Sequence, residues 1–355
     1  MRKRIRTSLA TLFLVLAAIV VRPLPALAHV KWFVREDSEY PVSVSHFSLT
    51  EPAVQIWVAI ILVCIAVALL LDRFLPRPPE RVIDFFWQKR QQVLHLFQVM
   101  VGLALLLTAV KGAILAPHLA EAGGIGLLLR FVEGGIGLLF IANKAVRLGA
   151  CLMIGLFLAS TALFGWVSSL EYFNFLGIAL FLLLASLPAG GPTGRFKPYA
   201  LPILRIHTGI ALGVLAWTEK LIDPNLAMRF LEKNQINFMK TLGIDLFSDR
   251  FFVLCAGCTE LIFAIIFTLG LITRINTLAL AGFLISSNLY FFLVGKTEEA
   301  FLELTGHLPL VAIAILLILY GGGSRLCLTN LFFRQARTGE DAAGSKSRSE
   351  GPAFP

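Results

Sequence analysis

Charge is what this sequence has least of. Only 15% of its 355 residues are charged, against 57% apolar and a mean hydropathy of +0.81, whereas soluble globular chains carry about 25% charged residues. That scarcity excludes an ordinary soluble domain. Also missing are a haem-attachment motif, a dinucleotide-binding glycine loop and a Walker phosphate loop, so neither covalently held haem nor nucleotide-driven chemistry has a motif to stand on. Cysteine is sparse, five in all, with one CxxC pair and no second. The formal net charge of +9 is no sign of a nucleic-acid partner, because the basic residues sit in short segments between apolar runs, the arrangement that orients a membrane protein.

What the chain has in plenty is long apolar runs. Nine candidate spans occupy residues 54–71, 93–116, 124–142, 148–168, 172–187, 202–220, 251–271, 275–294 and 305–320, each near the length needed to cross a hydrocarbon core of roughly 30 Å. The expectation is an all-α, polytopic membrane helical bundle whose partner is the lipid bilayer. Before the spans, Met1-Arg-Lys-Arg-Ile-Arg6, the apolar stretch 9–21 and Ala26-Leu27-Ala28 have the form of an export signal. Cleavage after Ala28 makes His29 the mature N-terminus. An uncleaved anchor is the alternative. Residues 29–53 then form an extracytoplasmic segment, and residues 336–355 have the composition of a disordered cytoplasmic tail.

Charge placement orients the spans. Arg73, Arg77, Arg81, Lys89 and Arg90, then Lys144 and Arg147, then Arg195 and Lys197, then Arg274, fall on one side, with Arg325, Arg334, Arg337, Lys346 and Arg348 behind the last span. The opposite loops at 117–123 and 169–171 hold no Lys or Arg. Positive-inside bias thus predicts a multi-pass protein of the cell inner membrane, N-terminus outside and C-terminus in the cytoplasm. The outer stretch 221–250 is long and mixed in charge and reads as a small extracytoplasmic element.

After the leading helix at 54–71, residues 93–188 and 202–320 read as two four-helix repeats. Residues 94–117 laid on 201–224 match Leu94/Leu201, Gly102/Gly209, Ala104/Ala211, Leu105/Leu212, Ala109/Ala216 and Pro117/Pro224. Past the extra outer loop the register resumes with Glu133/Glu260, Phe140/Phe267, Arg147/Arg274 and Gly155/Gly282. Both halves start and end on the same side, which makes this a parallel repeat about an axis along the membrane normal.

Ionisable residues inside spans cost roughly 2.5–3.5 kcal/mol at a helix centre, so each calls for a partner or a task. Lys111, Arg130 and Glu133 lie in the first repeat. Arg130 and Glu133 are three apart on one helical face, where they can neutralise each other, as a packing pair or as part of a site. In the second repeat Trp217-Thr218-Glu219-Lys220 ends a helix, and Glu260 sits at mid-span with no basic residue three or four positions away. Glu260 must therefore be protonated or met from another helix, by Lys220, Asn288 or His307, either for proton chemistry or as an inter-helix hydrogen bond. Cys255-Ala-Gly-Cys258 lies near the start of the same helix, behind Ser248 or Asp249 as N-cap, and can act as a dithiol or pack as small residues. Cys64, Cys151 and Cys327 read as packing residues. An N-terminal His29 offers amine and imidazole nitrogens to copper in a histidine brace. His46, the other His of the exported segment, or His307 near the same face, can complete that metal set.

Residues 200–325 resemble the DoxX/DoxD family of four-helix membrane proteins. The resemblance rests on Leu204-Arg205-Ile206 with Gly209, on Thr218-Glu219-Lys220-Leu221, on Gly257 with Glu260-Leu261, and on Leu269-Gly270-Leu271-Ile272-Thr273-Arg274. The first half carries a weaker echo, Glu133-Gly-Gly-Ile-Gly followed by Arg147. The resemblance implies quinone-linked sulfur-compound oxidation or a thiol-redox complex. On that reading Glu260, Cys255 and Cys258 do the chemistry, and Glu219, Lys220, Arg274, Glu133 and Arg130 are candidates for binding a quinone. The expected function is a membrane oxidoreductase or its subunit with an electron-transfer or membrane-complex partner; the alternatives are a copper-handling protein and an assembly factor.

Overall fold

A computed structural model describes residues 30–34, 44–75, 80–188 and 193–330. The signal-sequence reading, His29 and the tail 336–355 lie outside the described residues. Among those described there is no strand, only an isolated bridge between Ile114 and Ala116. The chain is an all-α polytopic bundle. Its helices are α1 Pro52–Phe74, α2 Glu80–Gln88, α3 Arg90–Val110, α4 Gly123–Ile141, α5 Val146–Phe164, α6 Trp166–Leu170, α7 Phe173–Ala185, α8 Ala200–Ala216, α9 Pro224–Asn234, α10 Phe238–Thr241, α11 Asp249–Leu269, α12 Thr273–Leu293 and α13 Thr297–Tyr320.

Eight helices among the described residues are long and apolar enough to cross a membrane. The expected fifth span, 172–187, is the exception: α7 has 13 residues, about 20 Å at 1.5 Å per residue. Gly165, at φ +85°, ends α5. The residues before α7 make the separate turn α6. The fourth expected span, 148–168, thus stops short at Phe164, and the fifth runs only from Phe173 to Ala185. The span expected at 93–116 also ends early, at Val110, after which Ala113–Ala116 turn back into the interior and are buried.

Helices α3, α4, α5 and α7 pack in sequence as one four-helix unit, and α8, α11, α12 and α13 as a second; α7 of the first lies against α8 of the second, and α13 lies against α3. The fourth helix of each unit therefore meets the first helix of the other. Small residues sit where the first and second helices of a unit cross. A Cβ on Gly102 would stand 2.6 Å from the Gly137 carbonyl oxygen, and one on Gly209 would stand 2.4 Å from Thr268 Oγ1 and 2.9 Å from the Ala264 carbonyl. Glycine there lets backbones approach within hydrocarbon, where packing drives association. The arginine after each unit's second helix caps that unit's fourth: Arg147 donates to the Ser186 carbonyl and hydroxyl, and Arg274 to the carbonyls of Ile318 and Leu319.

The Leu269–Arg274 turn has a structural cause. Arg205 is fully buried and donates to the carbonyls of Phe267 and Thr268 in the last turn of α11, and to those of Gly322 and Leu326. Gly270, at φ +75°, leaves the space: a Cβ there would lie 2.6 Å from the guanidinium. The leading helix α1 joins at the same end, where Asp72 accepts from Ile272 N–H at 2.7 Å and from the Thr329 hydroxyl at 2.6 Å. Elsewhere α1 touches mainly α11 and leaves most of its apolar surface outward. The amphipathic α2 lies nearby: Tyr320 donates its hydroxyl to the Phe86 carbonyl at 2.9 Å.

Candidate functional site: a buried ionic chamber between the two units

At the opposite end, the structure gathers charge where the two units meet. α8 does not stop cleanly at Ala216 but widens into a π turn, Trp217–Leu221, closed by Ile222 N–H to the Trp217 carbonyl at 2.8 Å. Such wide turns shift the register of a helix and occur often at functional sites. Here Glu219 and Lys220, neighbours in sequence, are both buried. Lys220 Nζ reaches 2.7 Å to Glu260 Oε2 at the middle of α11. Gly257 makes room, since a Cβ there would stand 3.1 Å from Lys220 Cβ and 2.8 Å from Leu221 Cδ2.

Residues 30–34 fill the space between the units. Over this stretch the segment ahead of α1 packs inside the bundle: Val30, Trp32, Phe33 and Val34 are all buried. Val30 N–H donates to Glu219 Oε2 at 2.9 Å. Lys31 pairs with the buried Glu171, which also accepts from the Thr218 hydroxyl at 2.7 Å. Trp32 Nε1 donates to the Tyr172 hydroxyl at 3.0 Å, and that hydroxyl lies 3.3 Å from His118 Nδ1. The indole rests on Gly306, where any Cβ would fall 1.9 Å from the ring. Its centroid is 5.6 Å from that of His307. Phe33 stacks between Phe230 of α9 and Phe291, and Lys233 donates to its carbonyl at 3.0 Å. The amphipathic α9 thus covers the segment; Asp223 caps its N-terminus, with Pro224 in the first turn.

His307 completes the chamber, 3.8 Å from the fully buried Glu303 and 3.3 Å from Asn288 Nδ2. Four carboxylate oxygens, Glu171 Oε2, Glu219 Oε1 and both of Glu303, are buried with no hydrogen-bond donor among the described residues. A cavity of about 20 Å³, lined by Trp32, Glu171, Tyr172 and Asn174 among others, lies beside Glu171; that volume suits a water molecule. Burial holds the His118 imidazole down to about 4, and nearby Lys31 pushes the same way.

The expected site residues separate into distinct places. Glu219, Lys220 and Glu260 come together, and Glu260 is met by Lys220, one of its three candidate partners; the other two, Asn288 and His307, contact each other. Arg274 is at the far end, capping α13. Glu133 and Arg130 belong to the other unit and do not pair. Glu133 takes the Leu115 N–H on both oxygens, at 3.0 and 3.1 Å, while Arg130 Nε turns back to the Gly126 carbonyl at 3.1 Å. The buried turn 113–116 brings a backbone donor that helical spacing alone does not reveal. Cys255 and Cys258 carry free thiols. Cys258 packs under α1 with Val54 and Leu254, on the face of α11 roughly 200° from Glu260 at 100° per residue. Ser248 is the N-cap of that helix. His46 is bound through Nδ1 to the Ile222 carbonyl at 2.7 Å near the surface, whereas His307 is buried. Among the described residues no group of three His, Cys, Asp or Glu could hold a metal ion.

Sequence reasoning passes over Glu171 and Glu303, both fully or nearly fully buried here. Glu171 falls in a short loop and Glu303 just ahead of an expected span, positions where a carboxylate ordinarily meets water. The one available signal is the partner: Lys31, in an apolar and aromatic run, also needs a counter-charge.

Fold and site together define a class: a polytopic all-α membrane protein with an ionic chamber enclosed between two four-helix units. Comparison with known protein families, with curated proteins and with solved structures finds no match for this chain.

Proposed function

We propose that the protein is a quinone-linked membrane redox protein, or the membrane subunit of one, in which the ionic chamber carries protons. The observation that supports this reading is the Lys220–Glu260 pair at 2.7 Å, buried at mid-helix, with Lys220 beside Glu219, which is in turn near Glu171, a residue that lines a water-sized cavity. Reduction of a quinone to its quinol consumes two protons with two electrons. A carboxylate held by an ammonium at membrane depth, next to further carboxylates and a water site, is a route by which protons reach such an acceptor. Glu260 is the exchanging group, Lys220 its counter-charge, and Glu219 and Glu171 the groups nearer the surface. The electrons come from a partner protein, because the Cys255–Cys258 thiols stand on the α1 side of the helix. Positive-inside bias in the loop charges supports a chamber on the extracytoplasmic side of the inner membrane.

The test is quinone analysis of the protein purified in mild detergent, joined to redox-linked proton uptake on reduction by a dye. Wild type should retain quinone and take up protons with electrons. Glu260→Gln should retain the fold and quinone, with a melting temperature lowered by the uncompensated Lys220 charge, but lose the uptake. Undiminished uptake in the Gln variant refutes the role of Glu260, and absence of quinone from wild type refutes the quinone link.

A copper-handling protein is the second reading. Burial of Val30–Val34 beside His307 favours it, since the expected mature N-terminus directly precedes that segment. Stoichiometric copper in the purified protein, without turnover, would select it.

A further inference from the structure

Lys197 is a buried cation that the chamber does not use. It sits in the tight helical turn Gly194–Tyr199, which leads into α8 and packs on α7. Only 6% of it is exposed, and among the described residues its ammonium meets no carboxylate and no hydrogen-bond acceptor. The charge that acts on it is of its own sign: Arg90, at the start of α3. Arg90 Nε is likewise buried without an acceptor, while Nη1 donates to the Trp87 carbonyl at 3.0 Å. A buried charge without a partner is costly, and a like charge close by adds to the cost. The chemistry that satisfies both groups is an anion.

The place in the fold says which anion. Arg90 also acts on the hydroxyl of Tyr320 at the end of α13, and Trp87 meets the Tyr320 ring edge-on, centroids 5.7 Å apart. The two cations therefore lie where the starts of α3 and α8 come near the end of α13. That is the Arg274 end of the bundle, away from the chamber. Helices leave the hydrocarbon there, and the anion at that level is a lipid phosphate. The neighbouring segments also expose apolar rings: Phe196 in the same turn as Lys197, and Phe85 on α2, which runs into Arg90 through Lys89. A free phosphate has no use for such rings, whereas a phospholipid brings acyl chains with its headgroup.

We propose that Lys197 and Arg90 form a headgroup site for an anionic phospholipid, one phosphate oxygen taking the Lys197 ammonium and another the Arg90 guanidinium. A planar fork and a point charge together suit a phosphate, and basic pockets between membrane helices hold anionic headgroups in this way. The consequence is that lipid closes the seam between the two four-helix units at this end, because α3 opens the first unit and the turn Gly194–Tyr199 opens the second. A lysine that only snorkels to water along its apolar stem gives no such selectivity, since any lipid then serves. The proposal rests on neither the chamber nor the quinone reading and survives their failure.

The experiment uses the full chain, stripped of lipid in a non-ionic detergent, and reads lipid binding by native mass spectrometry. Phosphatidylglycerol should bind at least about tenfold more tightly than phosphatidylcholine, the scale of one charge-assisted hydrogen bond. Lys197→Met keeps the apolar stem and Arg90→Gln keeps a polar head; each should remove most of that preference and leave phosphatidylcholine binding unchanged. Lys144→Gln, at an exposed lysine of the same end, should change it by less than about twofold. Melting gives a second readout. Without lipid, Lys197→Met should melt no lower than wild type, because it removes an uncompensated charge; phosphatidylglycerol should then raise the midpoint of wild type and not that of the variant. Arg90→Gln decides the matter if Lys197→Met does not fold. Equal affinity for the two lipids overturns the proposal, as does a preference that survives both substitutions or falls equally with Lys144→Gln. Displacement of phosphatidylglycerol by inorganic phosphate alone assigns the site to a free anion and also overturns it.

Discussion

Glu133 and Glu260 occupy corresponding places, each on the second helix of its four-helix unit, and they have different partners. Glu133 is sealed: both oxygens take one backbone N–H, from Leu115 in a turn folded back into the interior. Glu260 instead takes an ammonium, from Lys220 on a widened turn, and through it adjoins Glu219 and the segment 30–34. A carboxyl satisfied by a peptide N–H needs no counter-ion and borders no other charge. One satisfied by lysine belongs to a network that must balance as a whole. The first four-helix unit thus has the architecture without the ion pair, and the difference arises at the end of the preceding helix, not at the glutamates themselves.

The largest effect that tests this contrast is truncation. Glu260→Ala leaves the Lys220 ammonium buried without its partner and should cost about 3–5 kcal/mol. Glu133→Ala leaves only an amide N–H unmet and should cost about 1–3 kcal/mol. Melting in detergent compares them, and equal losses would show that the two sites do not differ in kind. Next come the crossings that hold each unit together. Gly102→Ala and Gly209→Ala both push a Cβ to within 2.6 Å of an oxygen, an overpacking of about 1–3 kcal/mol. Both should be hard to relieve, because backbone atoms stand in the way at each: the Gly137 carbonyl at Gly102, and Thr268 N and the Ala264 carbonyl at Gly209. Tolerance of Gly102→Ala with no change in melting would refute the close approach.

Two smaller effects depend on pH, in separate windows. His118 is held down to about 4 by burial, against an ordinary value of 6.5. The unfolded chain therefore binds a proton before the folded one does, and stability should decline as pH falls from 6.5 towards about 4. His118→Gln should flatten that decline; an unchanged profile would place the titration elsewhere. The Glu51–Arg250 pair, at 2.8 Å, lies outside the chamber and acts lower. Its hydrogen bonds to Arg250 and Ser48 hold the Glu51 carboxyl down to about 2 from 4.5. Its contribution is present above 4.5 and should be lost as pH falls towards 2, and it should be modest because the pair is partly solvated. Glu51→Gln should remove only that lower part of the profile.

Much of the bundle is legible in the composition, because burial of backbone polar groups in hydrocarbon permits little except helices. The need of Glu260 for a partner on another helix is legible too, since the absence of a local counter-charge is a statement about spacing. The Arg130–Glu133 pair is the instructive failure. Helical spacing puts the two on one face, yet each found a nearer backbone partner, a carbonyl one turn back and an N–H from a folded-in turn. Spacing describes which groups can meet, not what else competes for them.

The amino-acid sequence by itself determined that this is an all-helical membrane protein, roughly where its helices run, and that several ionisable groups inside them require partners. Apolar length, charge position and helical periodicity are local properties, and all of these conclusions follow from them. Only the tertiary structure decided that residues 30–34 lie inside the bundle, that Glu171 and Glu303 are interior groups, and that the cysteines face α1 while Glu260 faces Lys220. Those facts depend on which helix faces which. That arrangement is set by contacts between residues far apart in the chain, where a π turn, a glycine at 257 and a glycine at 306 each admit a neighbour that no local pattern announces.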